Sequence, residues 1–193
     1  LKQKGKNFYQ LQSKSADLKL TCEYAEQLSS ENRTFAEVAD AAKAYWNRYW
    51  QKGAMVDFGQ CKDPRAQEME RRVVLSQYLL AIQDAGETPP QETGLTYNSW
   101  FGKFHLEMIL WHQAQFALWG HPELLERSLS WYFKAEPNAR KIAQRQGFKG
   151  VRWMKMTDPG AGEAPSSVGS FLIWQQPHLI YLAELLYRAD PSP

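Results

Sequence analysis

Apolar positions recur at helical spacing along most of this chain. Ala36, Val38, Ala39, Ala42, Tyr45, Trp46 and Tyr49 make one face of a helix predicted to run through Trp50. Thr34 is placed to be its N-cap, with Glu37 three residues on completing a capping box. A second helix is expected after Asp63-Pro64, with the proline at its first position, ending near Asp84 before Gly86. Its early part is charged and its later part, Val73 to Ile82, apolar. After the Glu87-Thr-Pro-Pro-Gln-Glu-Thr-Gly94 loop, a third helix is read from about Lys103 to Trp119, stopped by Gly120. Pro122 opens a fourth through Phe133, which Pro137 should interrupt or bend before it resumes from Asn138 to Gln146 and ends at Gly147. The last helix is expected from Pro177 to Arg188. Residues 6–28 differ: Phe8–Leu11 and Leu18–Tyr24 alternate apolar and polar, as strands do, before a break at Ser29–Asn32.

The third helix is apolar nearly all round, which places it inside. Lys103, Glu107 and Trp111 stand at i, i+4 and i+8 and would share one face of it. Buried ionisable groups are costly unless paired or lining a wet cavity. Lys103, His105 and Glu107 are therefore candidate pocket residues, with Trp100 and Trp111 as stacking platforms; a plain Lys103–Glu107 ion pair is the alternative.

A second polar-aromatic cluster lies downstream. Glu163 occupies a Gly-Ala-Gly-Glu-Ala-Pro loop between Gly150-Val-Arg-Trp-Met-Lys-Met156 and Ile173-Trp-Gln-Gln-Pro-His178. Sugars present apolar ring faces to indoles and hydroxyl edges to amides and charges, and glycosidic cleavage needs a carboxylic acid beside the leaving oxygen. Trp153, Lys155, Gln175, Gln176 and His178 are the candidate partners of Glu163, the last three at the rim. Trp153 and Trp174 would supply the desolvation that a general acid requires, against the opposing charge of Arg152 or Lys155. The plainer alternative is an acid in a solvated turn. Asp158 is a rival acid, its Asp-Pro context favouring a turn role.

Composition narrows the field only a little. The net charge of +2 comes without a basic stripe, so nucleic acid is not the implied partner. Eight Trp, nine Tyr and nine Phe are many for 193 residues, which suits a binding surface or a core. Cys22 and Cys61 belong to no CxxC pattern, no apolar run is long enough for a membrane span, and no signal peptide is evident. The GxSxG, P-loop and GxGxxG motifs are absent. His105 and His112 stand seven residues apart, about 10 Å along a helix, too far to chelate one metal ion. Neither metal nor cofactor is expected, and His121 reads as a loop residue.

Lys149-Gly-Val-Arg-Trp153 followed by Gly162-Glu163 resembles the general-acid segment of the maltose, trehalose and kojibiose phosphorylase family. Gly102-Lys-Phe-His-Leu-Glu107 is similar to that family's sugar-contacting segment. Trp-Gln-Gln-Pro-His, at 174–178, resembles bacterial six-hairpin glycosidase-like proteins. The resemblance covers roughly residues 30 to 190. It implies a mainly α protein, an (α/α)6 toroid of helical hairpins forming a partial barrel over 31–193, preceded by a β segment or linker over 1–30 from an N-terminal sandwich. It further implies an inverting glycoside hydrolase acting on an oligosaccharide or glycan, with Glu163 as general acid and the base expected beyond Pro193; were the chain complete, Glu107 is the one nameable base. The remainder of the barrel or sandwich would be missing, and the location periplasmic or secreted. A phosphate-dependent disaccharide phosphorylase and a non-catalytic carbohydrate-binding or helical scaffold protein are the alternatives.

Overall fold

A computed structural model describes residues 1–25, 27–29, 31, 33–93, 97 and 99–191. The chain is mainly helical and divides into two compact units, Leu1–Gln51 and Lys52–Pro193. Among the described residues no helix is long and apolar enough to cross a membrane.

In the first unit, β1 (Lys2–Gly5) and β2 (Phe8–Gln10) form an antiparallel hairpin with Gln3 opposite Tyr9 and an irregularity between Gln3 and Gly5. The expected strand over Leu18–Tyr24 does not form. Leu18, Leu20 and Tyr24 are all exposed, so its alternation has no core face to serve and no ladder partner to hold it. Helix α1 (Phe35–Lys52) begins as its capping box dictates. Glu37 Oε2 accepts the Thr34 N–H at 2.7 Å, and Thr34 Oγ1 accepts the Glu37 N–H at 3.3 Å. Of the expected break at Ser29–Asn32, Ser30 and Asn32 lie outside the described residues.

The second unit is built on α2 (Ala66–Asp84), α3 (Ile109–Leu118), α4 (Pro122–Arg145) and α5 (His178–Ala189). Helices α3, α4 and α5 pack on one another around Ile109, Phe116, Leu125, Ala139, Ala143 and Leu182, all fully buried. The small residues Ala135, Ala139 and Ala143 stand four apart on one stripe of α4 and permit close helix approach. Pro137 does not interrupt α4 as expected: the helix is continuous for 24 residues. The proline lies on the exposed side, and Phe133, whose carbonyl loses its donor, is also exposed, so water can compensate. Past the helix end, Gly147 takes φ 78° and the Phe148 N–H reaches back to the Ala143 carbonyl at 2.9 Å, a Schellman-type stop.

The third helix departs most from expectation. It starts at Ile109, not Lys103. Residues ahead of it form β3 (Phe104–His105), paired antiparallel with β4 (Met156–Thr157), Phe104 opposite Thr157 and His105 opposite Met156. Isolated bridges extend this small sheet on both sides, Gln91 to Phe104 and Thr157 to Glu163. The cause lies in distant backbone partners. His105 donates its N–H to the Pro90 carbonyl at 3.0 Å and Leu106 to the Lys155 carbonyl at 3.0 Å, leaving neither free for a helical ladder. Lys103, Glu107 and Trp111 accordingly do not share a helix face.

The packing of α5 makes one contrast measurable. Leu182→Ala, at a site with no exposed surface, is expected to cost about 2–5 kcal/mol, whereas Ile180→Ala, 74% exposed on the same helix, should stay within about 0.5 kcal/mol of the parent. Urea unfolding of the two variants checks the orientation of the helix.

Candidate functional site

The small sheet gathers charged and aromatic side chains from three loops. Lys155 Nζ lies 2.8 Å from Glu107 Oε1, with side chains only 8% and 11% exposed. The same ammonium stands 4.8 Å from the centre of the Trp100 ring, within cation–π range. Glu107 thus pairs with Lys155, 48 positions away, and not with Lys103. What Lys103 supplies is its backbone carbonyl, 2.9 Å from His105 Nδ1.

Trp100 is held by an unusual turn. Trp100, Phe101 and Gly102 all have positive φ (49°, 61° and 64°), a conformation that non-glycine residues adopt only when their surroundings over-determine it. The Gly102 N–H bonds to the Ser99 carbonyl and the Lys103 N–H to that of Trp100, closing the turn. The result is a half-exposed indole beside a buried ion pair. Part of the loop expected from Gly94 to Gly102 lies outside the described residues.

His105 has no exposed surface, and its ring stands 6.3 Å from that of Trp100. Burial lowers its pKa below the ordinary histidine value, with the Lys103 carbonyl and the Glu92 charge acting in the opposite sense. In the neutral ring, Nδ1–H donates to that carbonyl and Nε2 keeps a lone pair, 3.9 Å from Glu92 Oε2. Among the described residues neither of those two buried atoms has a hydrogen-bond partner. Glu92 was not anticipated; its backbone carbonyl also meets His112 Nε2 at 3.1 Å. No motif marks it in the sequence, since it enters the site through a loop.

Glu163 meets a different environment from the one expected. Arg145 Nη2 donates to Glu163 Oε2 at 2.5 Å, from a guanidinium that is 64% exposed. Trp153 is buried with its ring 4.8 Å from that of Tyr132, and Trp174 is half exposed. Arg152 spends its guanidinium on the Ser170 and Leu172 carbonyls at 2.8 and 3.1 Å. Asp158 serves its loop as a turn residue: Oδ1 accepts the Gly162 N–H at 2.8 Å and its carbonyl accepts the Ala161 N–H at 3.0 Å.

The expected rim residues turn inward. Gln176 brackets the Trp153 peptide, accepting its N–H at 2.8 Å and donating to its carbonyl at 2.6 Å. Gln175, 1% exposed, donates to the carbonyls of Trp153 and Leu172. His178 Nδ1 lies 3.2 Å from the Leu106 carbonyl, and its ring meets the edge of the exposed Trp111 at 6.0 Å. These side chains fix the segment that carries Lys155, just ahead of β4. Trp100, His105, Glu107 and Lys155 are brought together; Trp153, Gln175 and His178 are buried, Gln176 is half-buried, and Trp111 is exposed.

Two outcomes follow for stability. Glu107→Gln leaves the Lys155 ammonium buried without its counter-ion and is expected to cost about 3–5 kcal/mol, while Glu107→Leu with Lys155→Met restores most of the loss. Chemical denaturation of the three proteins tests this. The depressed pKa of His105 means that the unfolded chain takes up its proton first. The contribution of His105 to stability is therefore full above about pH 6.5 and falls as pH drops through the folded-state pKa. His105→Asn should remove its share of the fall between pH 7.5 and 5 in urea titrations, leaving that of the buried His112 and His121.

No protein-family model matches the chain, and neither a curated protein nor a solved structure matches it.

Proposed function

We propose that this chain is a carbohydrate-active protein of the glycoside hydrolase type, acting on an oligosaccharide or glycan. The observation that supports it is the half-exposed Trp100 indole seated on the buried Glu107–Lys155 pair. Lys155 occupies one face of that indole, and a sugar ring stacks on the other. The Glu107 carboxylate and the Lys155 ammonium border that indole, an acceptor and a donor for a ring hydroxyl, while His105 Nε2 and Glu92 Oε2 are buried.

In this reading Glu163 is the general acid, protonating the leaving oxygen while an oxocarbenium-like centre develops. Its loop bridges directly to β4, which follows Lys155 in the chain. Release from Arg145 is required before it can donate, and that exposed, flexible side chain is free to swing away. Glu107 is the candidate base for an inverting reaction, and the toroid of helical hairpins belongs to the same proposal. A second reading, non-catalytic carbohydrate binding, is favoured by one specific observation: both carboxylates are already matched to a cation, Glu163 to Arg145 and Glu107 to Lys155.

Binding and product release across an oligosaccharide panel, with and without phosphate, discriminate these. Glu163→Gln is expected to lower turnover about 10²–10⁴-fold with little change in affinity. Trp100→Ala should weaken sugar binding about tenfold through the lost stacking surface. Binding without cleavage by the parent protein selects the non-catalytic reading, and dependence on phosphate selects phosphorolysis. Failure to bind any sugar removes the carbohydrate assignment altogether.

A further inference from the structure

Asp84 is the last residue of α2 and is 4% exposed, and it is among the residues that line a cavity of about 350 Å³. Gln83, Thr88, Pro90, Gln91 and Phe104 are among the other walls, and none of them carries a charge. That volume falls at the lower end of the range typical of small-molecule sites. The end of α2 is firmly anchored. Gln113 Nε2 of α3 donates to the Asp84 backbone carbonyl at 3.0 Å, and Ser128 of α4 in turn donates to the Gln113 side-chain oxygen.

The carboxylate itself is treated differently from its backbone. The guanidinium that comes nearest in the hydrogen-bond network, Arg127 on α4, donates to the Ala85 carbonyl at 3.1 Å. Glu87 on the following loop is exposed, and α3 presents the neutral Gln113 to this end of α2. Among the described residues no donor or cation meets the Asp84 carboxylate, and burial alone pushes its pKa up to about 7. A desolvated carboxylate on a residue that lines an otherwise uncharged cavity is a costly arrangement that a cation relieves. An aromatic wall, Phe104, suits the same kind of guest.

We propose that this cavity binds the ammonium or guanidinium group of a small organic cation, with the Asp84 carboxylate as its counter-ion. A neutral polyol would leave the ionised carboxylate without compensating charge, and an anion would be repelled. The assignment is independent of the carbohydrate reading, since it uses neither Trp100 nor Glu163.

The test is calorimetric titration of the protein with n-butylammonium and with its neutral counterpart n-butanol, at pH 8 and pH 5.5. Protonation of Asp84 removes the counter-charge, so butylammonium binding is expected to weaken at least about tenfold at pH 5.5 and by as much in Asp84→Asn at pH 8. Butanol should not bind at either pH. Glu87→Gln, altering an exposed charge close in sequence, should leave butylammonium affinity unchanged. Asparagine keeps the backbone carbonyl that Gln113 uses, and unfolding of the ligand-free variant shows that it is folded. In the parent, the proton held by Asp84 favours the native state at low pH, and that contribution declines as pH rises from about 4 to about 7. Asp84→Asn should abolish that decline. Butylammonium binding that survives Asp84→Asn, equal binding of butanol, or no binding to the parent at millimolar concentration overturns the proposal.

Discussion

Lys155 engages the segment around Glu107 twice, once through its backbone and once through its side chain. Its carbonyl accepts the N–H groups of Leu106 and Glu107, at 3.0 and 3.4 Å, while its ammonium meets the Glu107 carboxylate at 2.8 Å. A backbone register and a buried charge pair therefore enforce the same alignment of two loops far apart in sequence. Neither half suffices alone. Two short strands give few ladder bonds, and a buried ion pair roughly balances its own desolvation. Combined, they place the indole of Trp100, the ring of His105 and the carboxylate of Glu92 around one point.

The supporting shell is built from amides. Gln175 and Gln176 direct their side chains to the Trp153 peptide two residues ahead of Lys155, and His178 reaches the Leu106 carbonyl across the strand pair. These contacts tie the start of α5 to the segment bearing Lys155 and to the turn bearing Glu107. A site on loops can be precise only when such contacts restrain it, and here the Trp-Gln-Gln-Pro-His stretch performs that role. The same logic separates Arg152 from Arg145. The former is consumed by two carbonyls inside the fold, whereas the latter, largely exposed, holds Glu163 from outside.

Long periodic segments were legible from the residues alone. The capping box at Thr34 and Glu37, the end of α2 at Asp84, the start of α4 at Pro122 and its stop at Gly147 all follow from local chemistry acting within a few positions. The segment from Lys103 to Met108 was not, although its residues suit a helix. Its backbone donors found carbonyls at Pro90 and Lys155, and long-range partners leave no periodic trace. Helical spacing likewise put Lys103 beside Glu107, whereas the folded chain chose Lys155.

The candidate site divides along the same line. Sequence by itself determined which residue types could do chemistry, namely a carboxylate in a glycine-rich loop and a run of indole, ammonium, imidazole and carboxylate from Trp100 to Glu107, because identity and local spacing are one-dimensional properties. Tertiary structure decided which of them meet. It turned the glutamines inward, gave Glu163 to Arg145, and left Asp84 at the wall of an uncharged cavity. Those outcomes depend on burial and on partners 18 to 29 positions away, and burial is what converts an ordinary side chain into a paired, neutral or exposed one.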